Sequence, residues 1–377
     1  RVAAAAAGGG SAAAERVERV LRELQASGGR PPFQAFTAAL ACYTGAGDWQ
    51  RVQGCLEAMQ EVGYTPDSDD FARMAEACAR SKDVARAEAF MTKAISLSVK
   101  PNLSLVNAVL KVCARAGDTA GVDRWMARMR EAYDLVPDLV SFNTAIAAFA
   151  EAGDPSAARR LLERCRNVSL RPDAMSYTPL IRACAPPRGE ESSLGRGREK
   201  AGGDDTGPAE QARLLLQRMS DERVMPDTTA YNAALHVSAL SGSLGHMWRI
   251  YDMMQAEGVV ADAATYRTLA LLYARCGDIE RAEDILHRAR LDGHGRGARE
   301  LDLLLSACGN AWPRDNQKAE RTFRDMLAAG IKPSSQSLRF LQMAMGKDRA
   351  IELAEELNVP WTAPDGRRPG TRTWAAA

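Results

Sequence analysis

A short dipeptide, in most copies Pro-Asp, recurs along the chain at nearly constant intervals. The copies are Pro66-Asp67, Pro101-Asn102, Pro137-Asp138, Pro172-Asp173, Pro226-Asp227, Ala261-Asp262 and Pro333-Ser334. The intervals are 35, 36, 35, 54, 35 and 72 residues, which is one unit of about 35 residues, expanded once and doubled once. A fixed period of this length indicates an array of repeats, in which each unit packs only against its neighbours.

Residues 139–173 show most clearly what one unit contains. Phe142 and Phe149 are two turns apart, as in the apolar stripe of an amphipathic helix. Gly153 is a typical helix end, and Pro155 a typical first residue of the next helix. One unit is therefore predicted to be a pair of short helices that must stack on neighbouring pairs to bury its apolar side chains.

Alignment on this unit predicts an all-α, right-handed α-solenoid of about eight to nine helix-turn-helix repeats. The predicted repeats are residues 33–67, 68–102, 103–138, 139–173, 174–227, 228–262, 263–297 and 298–334. The remaining parts are predicted to be a low-complexity tail at 1–13, a lone capping helix at 14–32, a capping hairpin at 335–359 and a disordered tail at 360–377.

One stretch interrupts the fifth unit. Residues 186–208 contain six glycines, no aromatic side chain and charges of both signs, which predicts a disordered insertion. A partner-binding loop is the alternative interpretation. The Ala, Gly and Ser residues near the start of the chain fit either a tail, which we favour, or the remnant of a transit peptide.

Composition restricts the classes of function. Charged residues make up 26% of the chain but the net charge is +1, so any binding of nucleic acid must depend on local features. Cys78, Cys113, Cys184 and Cys308 each lie seven residues after the apolar anchor of their unit, which indicates core packing. With no C-x-x-C motif, we predict no metal site, no disulfide and no cofactor. No apolar run is long enough to span a membrane.

Several features together resemble the pentatricopeptide repeat family. They are the 35-residue period, the segments SFNTAI at 141–146 and AYNAAL at 230–235, and the Ala-Gly-Asp turns that begin at Ala46, Ala116 and Ala152. The resemblance is good over residues 33–297 and loose over 298–359. A tetratricopeptide array would instead have a 34-residue period and a W-x-x-L-G-x-x-Y opening, which this sequence lacks.

The resemblance implies binding of single-stranded RNA, with one base per repeat read by two or three side chains. In the family, the readers are the residue after the anchor and the last residue of the unit. Carried onto this chain, the pairs are Thr37 with Asp67, Asn107 with Asp138, Asn143 with Asp173, Thr178 with Asp227, and Asn232 with Asp262. The family's preference of Asn-Asp for uracil and Thr-Asp for guanine implies the target G, unread, U, U, G, U. The second unit, with Ala72 and Asn102, lacks the first reader.

The family also stacks each base on residues that lie three positions before the first reader. Here these residues are Gln34, Asp69, Ser104, Val140, Met175, Thr229 and Ala264. Only Val140 and Met175 are large and apolar, so the other positions are expected to stack bases poorly. The pairs Arg267 with Gly297 and Asp302 with Ser334 match nothing in the family's code.

Two simpler interpretations remain open at this stage. Pro-Asp and a polar residue near a helix start are also ordinary helix caps, although five pairs in register favour base reading. Arg80, Arg115 and Arg275 share one late position in the first helix, where they either contact phosphates or are merely solvated.

No catalytic residues are predicted. The four histidines have no H-x-E context for a zinc deaminase, and Gly293-x-Gly295-x-x-Ala298 follows no strand, so it does not bind a dinucleotide. We therefore predict a non-enzymatic, monomeric RNA-binding protein of mitochondria or chloroplasts, acting in RNA processing, stabilisation or translation by occupying an RNA segment. Other RNA-processing proteins are further predicted partners. The alternatives are a protein-interaction scaffold and the RNA-binding half of a protein-only ribonuclease P-like enzyme.

Overall fold

The computed structural model describes residues 19, 31–186, 207–294, 297–357 and 359. From residue 33 onward these residues form 18 α-helices, and no described residue lies in a strand. Each helix has 10 to 14 residues, and most are joined by short turns. This confirms the predicted all-α class.

The described residues up to Ala183 form one compact unit and those from Cys184 onward form a second. In the first unit the helices are α1 (Phe33–Ala46), α2 (Trp49–Glu61), α3 (Ser68–Ser81), α4 (Val84–Ser96), α5 (Leu103–Ala116), α6 (Thr119–Glu131), α7 (Leu139–Glu151), α8 (Pro155–Asn167) and α9 (Ala174–Ala183). In the second they are α10 (Pro208–Asp221), α11 (Thr228–Ser241), α12 (Leu244–Ala256), α13 (Ala263–Cys276), α14 (Ile279–Leu291), α15 (Ala298–Asn310), α16 (Asn316–Ala328), α17 (Ser335–Met345) and α18 (Lys347–Glu356).

The first helix of each hairpin packs on the first helix of the next. In the first unit α1, α3, α5, α7 and α9 stack in this order, and in the second α11, α13, α15 and α17 do the same. The anchors predicted from the sequence, such as Phe71, Phe142 and Tyr231, are buried in these stacks. Each compact unit is therefore an α-solenoid of helical hairpins, as predicted.

The cysteines at the repeated position are part of this core. Cys78, Cys113 and Cys308 are fully buried, and no described cysteine forms a disulfide. Burial raises the pKa of the Cys113 thiol to about 11 and that of Cys308 to about 12. A thiol with such a pKa stays protonated at neutral pH, so these side chains act as small apolar groups.

The turns between paired helices follow from local chemistry. Gly117 adopts the left-handed conformation with φ of 77°, which a residue without a Cβ adopts at little cost. Asp118 then caps α6 by accepting a hydrogen bond from the N–H of Gly121 at 2.8 Å. Lys82 takes the glycine position at the end of α3 with φ of 57°.

Several predictions fall at the edges of the described residues. The predicted tails at 1–13 and 360–377, and most of the predicted helix at 14–32, lie outside them. Of the predicted insertion 186–208, residues 187–206 also lie outside them. Its last residue, Pro208, is helical and begins α10, because proline is well suited to the first position of a helix. The insertion was therefore predicted to extend too far.

No helix in the described part of the chain combines the length and the hydropathy that a membrane crossing requires.

Candidate nucleic-acid interface

The predicted readers Asn143 and Asp173 are in direct contact. Asn143 follows the buried anchor Phe142 in α7, and its amide Nδ2 donates to Asp173 Oδ1 at 3.0 Å. The buried Ser176, in α9, donates its hydroxyl to Asn143 Oδ1 at 2.5 Å. Because the carboxylate only accepts, these two contacts fix which end of the amide is the donor. No described residue donates to Asp173 Oδ2, so that oxygen is free to accept from a ligand.

The same three-residue arrangement occurs at Asn107. Its Nδ2 donates to Asp138 Oδ1 at 3.1 Å, and the hydroxyl of Ser141 donates to its Oδ1 at 2.6 Å. Asp138 also accepts from the N–H of Ser141 at 2.9 Å, so it caps α7 and holds the amide at the same time. One carboxylate therefore caps the helix and also positions the amide. Capping and reading, which are alternatives in the sequence analysis, are compatible at this residue.

A third copy lies in the second compact unit. Asn232 Nδ2 donates to Asp262 Oδ1 at 3.0 Å, and Thr265 Oγ1 donates to Asn232 Oδ1 at 2.7 Å. Threonine replaces serine here without changing the pattern of hydrogen bonds. We call these three sets the amide triads: Asn107/Asp138/Ser141, Asn143/Asp173/Ser176 and Asn232/Asp262/Thr265.

The carboxylates of two triads ionise more readily than an isolated aspartate. Burial alone would raise the pKa of Asp138, but hydrogen bonds from the N–H and hydroxyl of Ser141 and from the amide of Asn107 outweigh it and lower the pKa. Burial is likewise outweighed at Asp262, where Thr265 and Asn232 donate and the pKa is again lowered. Both groups are acceptors at neutral pH.

The structure does not form the same contact at Thr37. Its hydroxyl donates to the carbonyl of Gln34 at 3.2 Å, and the two described residues Thr37 and Asp67 share no hydrogen bond. Asp67 instead forms a capping box with Asp70, which stands where the triads have a hydroxyl. This pair therefore lacks the third member that orients an amide reader.

The remaining threonine pair is divided between the compact units. Thr178 belongs to the first unit and donates to the carbonyl of Ala174 at 2.8 Å. Asp227 belongs to the second and accepts from the N–H of Ala230 at 2.8 Å. The residue three positions after the aspartate is Ala230, which has no hydroxyl. The two threonine pairs are thus chemically distinct from the amide triads.

In the second repeat, the side chain of the last residue contacts a residue of the same repeat. The side chain of Asn102 donates to Asp69 at 2.8 Å and accepts from the N–H of Leu105 at 2.9 Å. Ala72, at the first reader position, is buried and offers no polar group.

The two predicted stacking residues are both exposed next to an amide triad. Val140 is 59% exposed and Met175 is 68% exposed, although both are apolar. They lie three residues before Asn143 and before Thr178 respectively, in the neighbouring helices α7 and α9. Exposed apolar side chains in this register are available to stack against a flat ring.

Arg80, at the repeated arginine position, makes a structural contact. Arg80 donates to the carbonyl of Gly45, near the end of α1 in the preceding hairpin, at 3.0 Å. Asn310 makes the equivalent contact with the carbonyl of Ala274 at 3.0 Å. The position therefore helps to satisfy the carbonyl groups at the end of the preceding helix.

Sequence reasoning missed the third member of each amide triad. Ser141, Ser176 and Thr265 are buried, and each lies three residues after its aspartate. The signal was the pattern Asp-x-x-Ser/Thr, which is also a capping box. No group of three or more His, Cys, Asp or Glu in the described ranges could hold a metal ion.

Two family models match this chain. The model of the pentacotripeptide-repeat region of PRORP matches residues 74–194, and the PPR repeat model matches residues 264–294. The first match contains two of the three amide triads, and the second covers nearly all of α13 and the whole of α14 in the second unit.

Curated relatives carry the same family name. A pentatricopeptide repeat-containing protein of Arabidopsis thaliana is 26% identical over 149 residues, which are 39% of this chain and 23% of that protein. The mitochondrial pentatricopeptide repeat-containing protein 1 of Rattus norvegicus is 24% identical over 176 residues, covering 43% of this chain and 26% of that protein. The match thus spans about a quarter of the length of these relatives.

A solved structure shows the same fold. The pentatricopeptide repeat protein PPR10 from maize matches 92% of this chain with a TM-score of 0.57 and 22% identity. The match covers 52% of the maize chain.

Proposed function

This chain contains pentatricopeptide repeats, and from that premise we propose that it binds single-stranded RNA. The bases would meet the amide triads, one base to each repeat, with the repeat bounds taken from the sequence. The observation that carries the proposal is the repetition, in three repeats, of one oriented amide hydrogen-bonded to one carboxylate. A helix cap alone requires the aspartate but not the asparagine from the preceding repeat.

The triads suit uracil better than cytosine. Asn143 Nδ2 keeps a second N–H, and Asp173 keeps an unoccupied acceptor beside it. The pairing edge of uracil offers a carbonyl oxygen next to an N–H, so it can accept from the amide and donate to the carboxylate. With the amide on the pyrimidine O2, uracil presents N3–H to the carboxylate, whereas cytosine presents a bare N3, which the carboxylate would repel. The same argument applies to Asn107 with Asp138 and supports two adjacent uracils.

Two exposed apolar side chains support the expectation that the fourth repeat binds its base more tightly than the other repeats do. Val140 and Met175 flank the Asn143 triad along the chain, and stacking of a base on such side chains is favourable. Of the other readers carried over from the family, Thr37 with Asp67 is proposed only as a weaker guanine site. Thr178 and Asp227 lie in different compact units, and their pairing stays a prediction from the family resemblance.

We propose that the protein acts by occupying RNA rather than by cleaving it. A bound strand is held unpaired and shielded from nucleases, which suffices for a role in RNA processing, stability or translation. Relatives named as mitochondrial and chloroplastic support an organellar location. Maize PPR10 has been crystallised with an 18-nt RNA element, but its likeness to this chain extends to the fold, so the argument for RNA rests on the triads.

A second candidate has one specific observation in its favour. The family model that matches residues 74–194 is the repeat region of PRORP, a protein-only ribonuclease P. As the RNA-binding part of such an enzyme, the chain would prefer folded precursor tRNA to a single strand. Competition between the two RNAs distinguishes the candidates, since the occupancy function requires the single strand to bind more tightly.

The test of the proposed function is a substitution at the fourth repeat. Asn143→Ala should weaken binding to a GNUUGU-type strand by about 1 to 3 kcal/mol, the cost of a lost base contact. Asn143→Thr should shift the preferred base at that position from uracil towards guanine. Asn167→Ala, an exposed asparagine at the end of α8, is the matched control and should change nothing.

Titrations with the four bases at that position decide the result. Equal affinity for all four, before and after the change, would mean that the triads are only caps. A protein-interaction scaffold would then replace the RNA-binding proposal.

A further inference from the structure

The second compact unit contains a small surface cavity beside the first reader position of the seventh repeat. The residue pair of that repeat matches nothing in the family's code. It lies between α13, α14 and α15, and its lining includes Tyr266, Arg267, Arg290, His294, Glu300 and Leu304. Arg267 occupies the first reader position of the seventh repeat, and Gly297 occupies the second. Gly297 has no side chain, so the aspartate that other repeats place here is absent.

Glu300 supplies the missing carboxylate from three residues further along. Its Oε2 accepts from the N–H of Gly297 at 2.9 Å, which is the contact that the third residue of a helix makes with the N-cap residue in a capping box. A Cβ at position 297 would lie 2.6 Å from that oxygen, so the glutamate occupies the space that a side chain there would need. Its Oε1 lies 3.7 Å from Nη1 of Arg267. The pair of amide and aspartate is thus replaced by a guanidinium and a glutamate.

Arg267 keeps most of its donors for a ligand. Its side chain is 33% exposed, and within the described residues its one polar contact is the ion pair with Glu300. A guanidinium carries five N–H groups in a planar fork. Glu300 therefore restricts the orientation of the fork while leaving the remaining N–H groups unpaired.

We propose that Arg267, oriented by Glu300, makes the seventh repeat a guanine-reading site. The proposal rests on the proposed binding of single-stranded RNA. Guanine presents two acceptors, O6 and N7, on one edge, and a bidentate contact from arginine is the commonest specific contact to this base. Adenine and cytosine each place an amino donor on that edge, facing the N–H groups of arginine, and uracil offers a single oxygen.

The flanking side chains fit this role. Ala264 and Arg299 stand three positions before the reader positions of the seventh and eighth repeats, and Arg299 is exposed. An arginine plane can stack on an unpaired base. Ala264 adds little stacking, so the preference for guanine should come mainly from Arg267.

The experiment uses the full chain and strands that differ only in the base following the uracil read by Asn232. The sixth and seventh repeats lie in the same compact unit, so these two bases are neighbours. Wild-type protein should prefer guanine to each other base by on the order of 10-fold. Arg267→Ala should remove that preference and leave the preference for uracil at Asn232 unchanged.

Two further variants distinguish a loss of base recognition from the loss of a positive charge and from a failure to fold. Arg267→Lys keeps the charge but not the fork, so it should lose the guanine preference and keep most of the affinity. Arg288→Ala removes an exposed arginine of α14 that has no ion pair among the described residues, and it should alter neither preference. Thermal unfolding of each variant identifies any that fails to fold, in which case the lysine variant decides.

Three results would overturn the inference. An equal loss for all four bases in Arg267→Ala would assign the arginine to a phosphate. An absence of preference at the seventh position, with uracil preference at the sixth retained, would reject the guanine site and leave the proposed function intact. An absence of preference at both positions would reject both.

Discussion

At each amide triad, a hydroxyl group determines which way the asparagine faces. Ser176 donates to Asn143 Oδ1, so Nδ2 must turn towards Asp173. Without the hydroxyl, both ends of the amide could approach the ligand, and the difference between uracil and cytosine would shrink. The buried serine or threonine thus contributes to specificity without any contact to the base.

Ser176→Ala tests this role. Because the amide is then held only by Asp173, we expect the preference for uracil over cytosine at the fourth repeat to fall by roughly 1 kcal/mol, the value of one hydrogen bond. Total affinity for the uracil strand should fall less. Titration with strands that differ in this base measures both quantities, and Ser156→Ala at the start of α8 is the matched control. An unchanged ratio of affinities would show that the carboxylate alone orients the amide.

The contacts between readers could be predicted from the sequence only where the chain repeats itself. The family resemblance and the register of the repeats together predict the pairs Asn107 with Asp138 and Asn143 with Asp173, and the structure brings each pair together. Thr37 and Asp67 have the same register but are not hydrogen-bonded, because threonine is too short and donates to its own helix. Glu300 could not be predicted, since its role depends on the space left by Gly297.

Asp302 is a carboxylate whose burial is only partly compensated. Its Oδ1 is buried without a hydrogen-bond partner in the described structure. Burial raises the pKa of Asp302, and the hydroxyl of Ser337 offsets part of this effect. A carboxyl with a raised folded-state pKa favours folding below its unfolded pKa, and that advantage is lost as pH rises through the folded value.

Asp302→Asn should therefore stabilise the protein at neutral pH, by roughly 1 kcal/mol, and have little effect below the unfolded pKa. Denaturant unfolding at neutral and acid pH measures the difference. Asp284→Asn, on the exposed side of α14, is the matched control for the loss of one carboxylate. Equal effects at both pH values would exclude ionisation as the cause.

At the level of the helices, short turns with strong caps set the ends. Gly117 and Asp118 illustrate this, because the glycine reverses the chain and the aspartate starts α6. The helices could be predicted well from the sequence, because the Ala-Gly-Asp turns end one helix and begin the next through residues that are adjacent in the chain. The start of α10 at Pro208 was less predictable, because a glycine-rich stretch leads directly into it.

Asp118→Ala should destabilise the first compact unit by about 1 kcal/mol, the usual cost of removing an N-cap. The substitution leaves the N–H of Gly121 without its partner. Chemical denaturation measures the loss. Asp123→Ala, exposed in the same helix, removes the same charge without a cap and should cost much less. Similar losses in both variants would contradict a capping role.

At the scale of the whole chain, the near-neutral charge bears on how RNA is held. Some basic side chains of the first helices are already paired: Lys111 contacts Glu76, and Arg73 contacts Asp70. With a net charge of +1, the chain has no overall positive field to attract the RNA backbone. Base contacts and stacking should then supply more of the affinity than phosphate contacts.

This argument predicts a weak dependence of affinity on salt. Proteins that make six to ten phosphate contacts lose about 10³- to 10⁵-fold in affinity between 50 and 200 mM salt. For this chain and a GNUUGU-type strand we expect a loss below about 100-fold, because most of the binding energy would come from uncharged groups. Titrations across that range, with wild type and Asn143→Ala in parallel, give both slopes. The two slopes should agree, since Asn143 contacts a base. A thousand-fold loss would mean that phosphate contacts dominate and that the amide triads have a smaller part in binding than proposed.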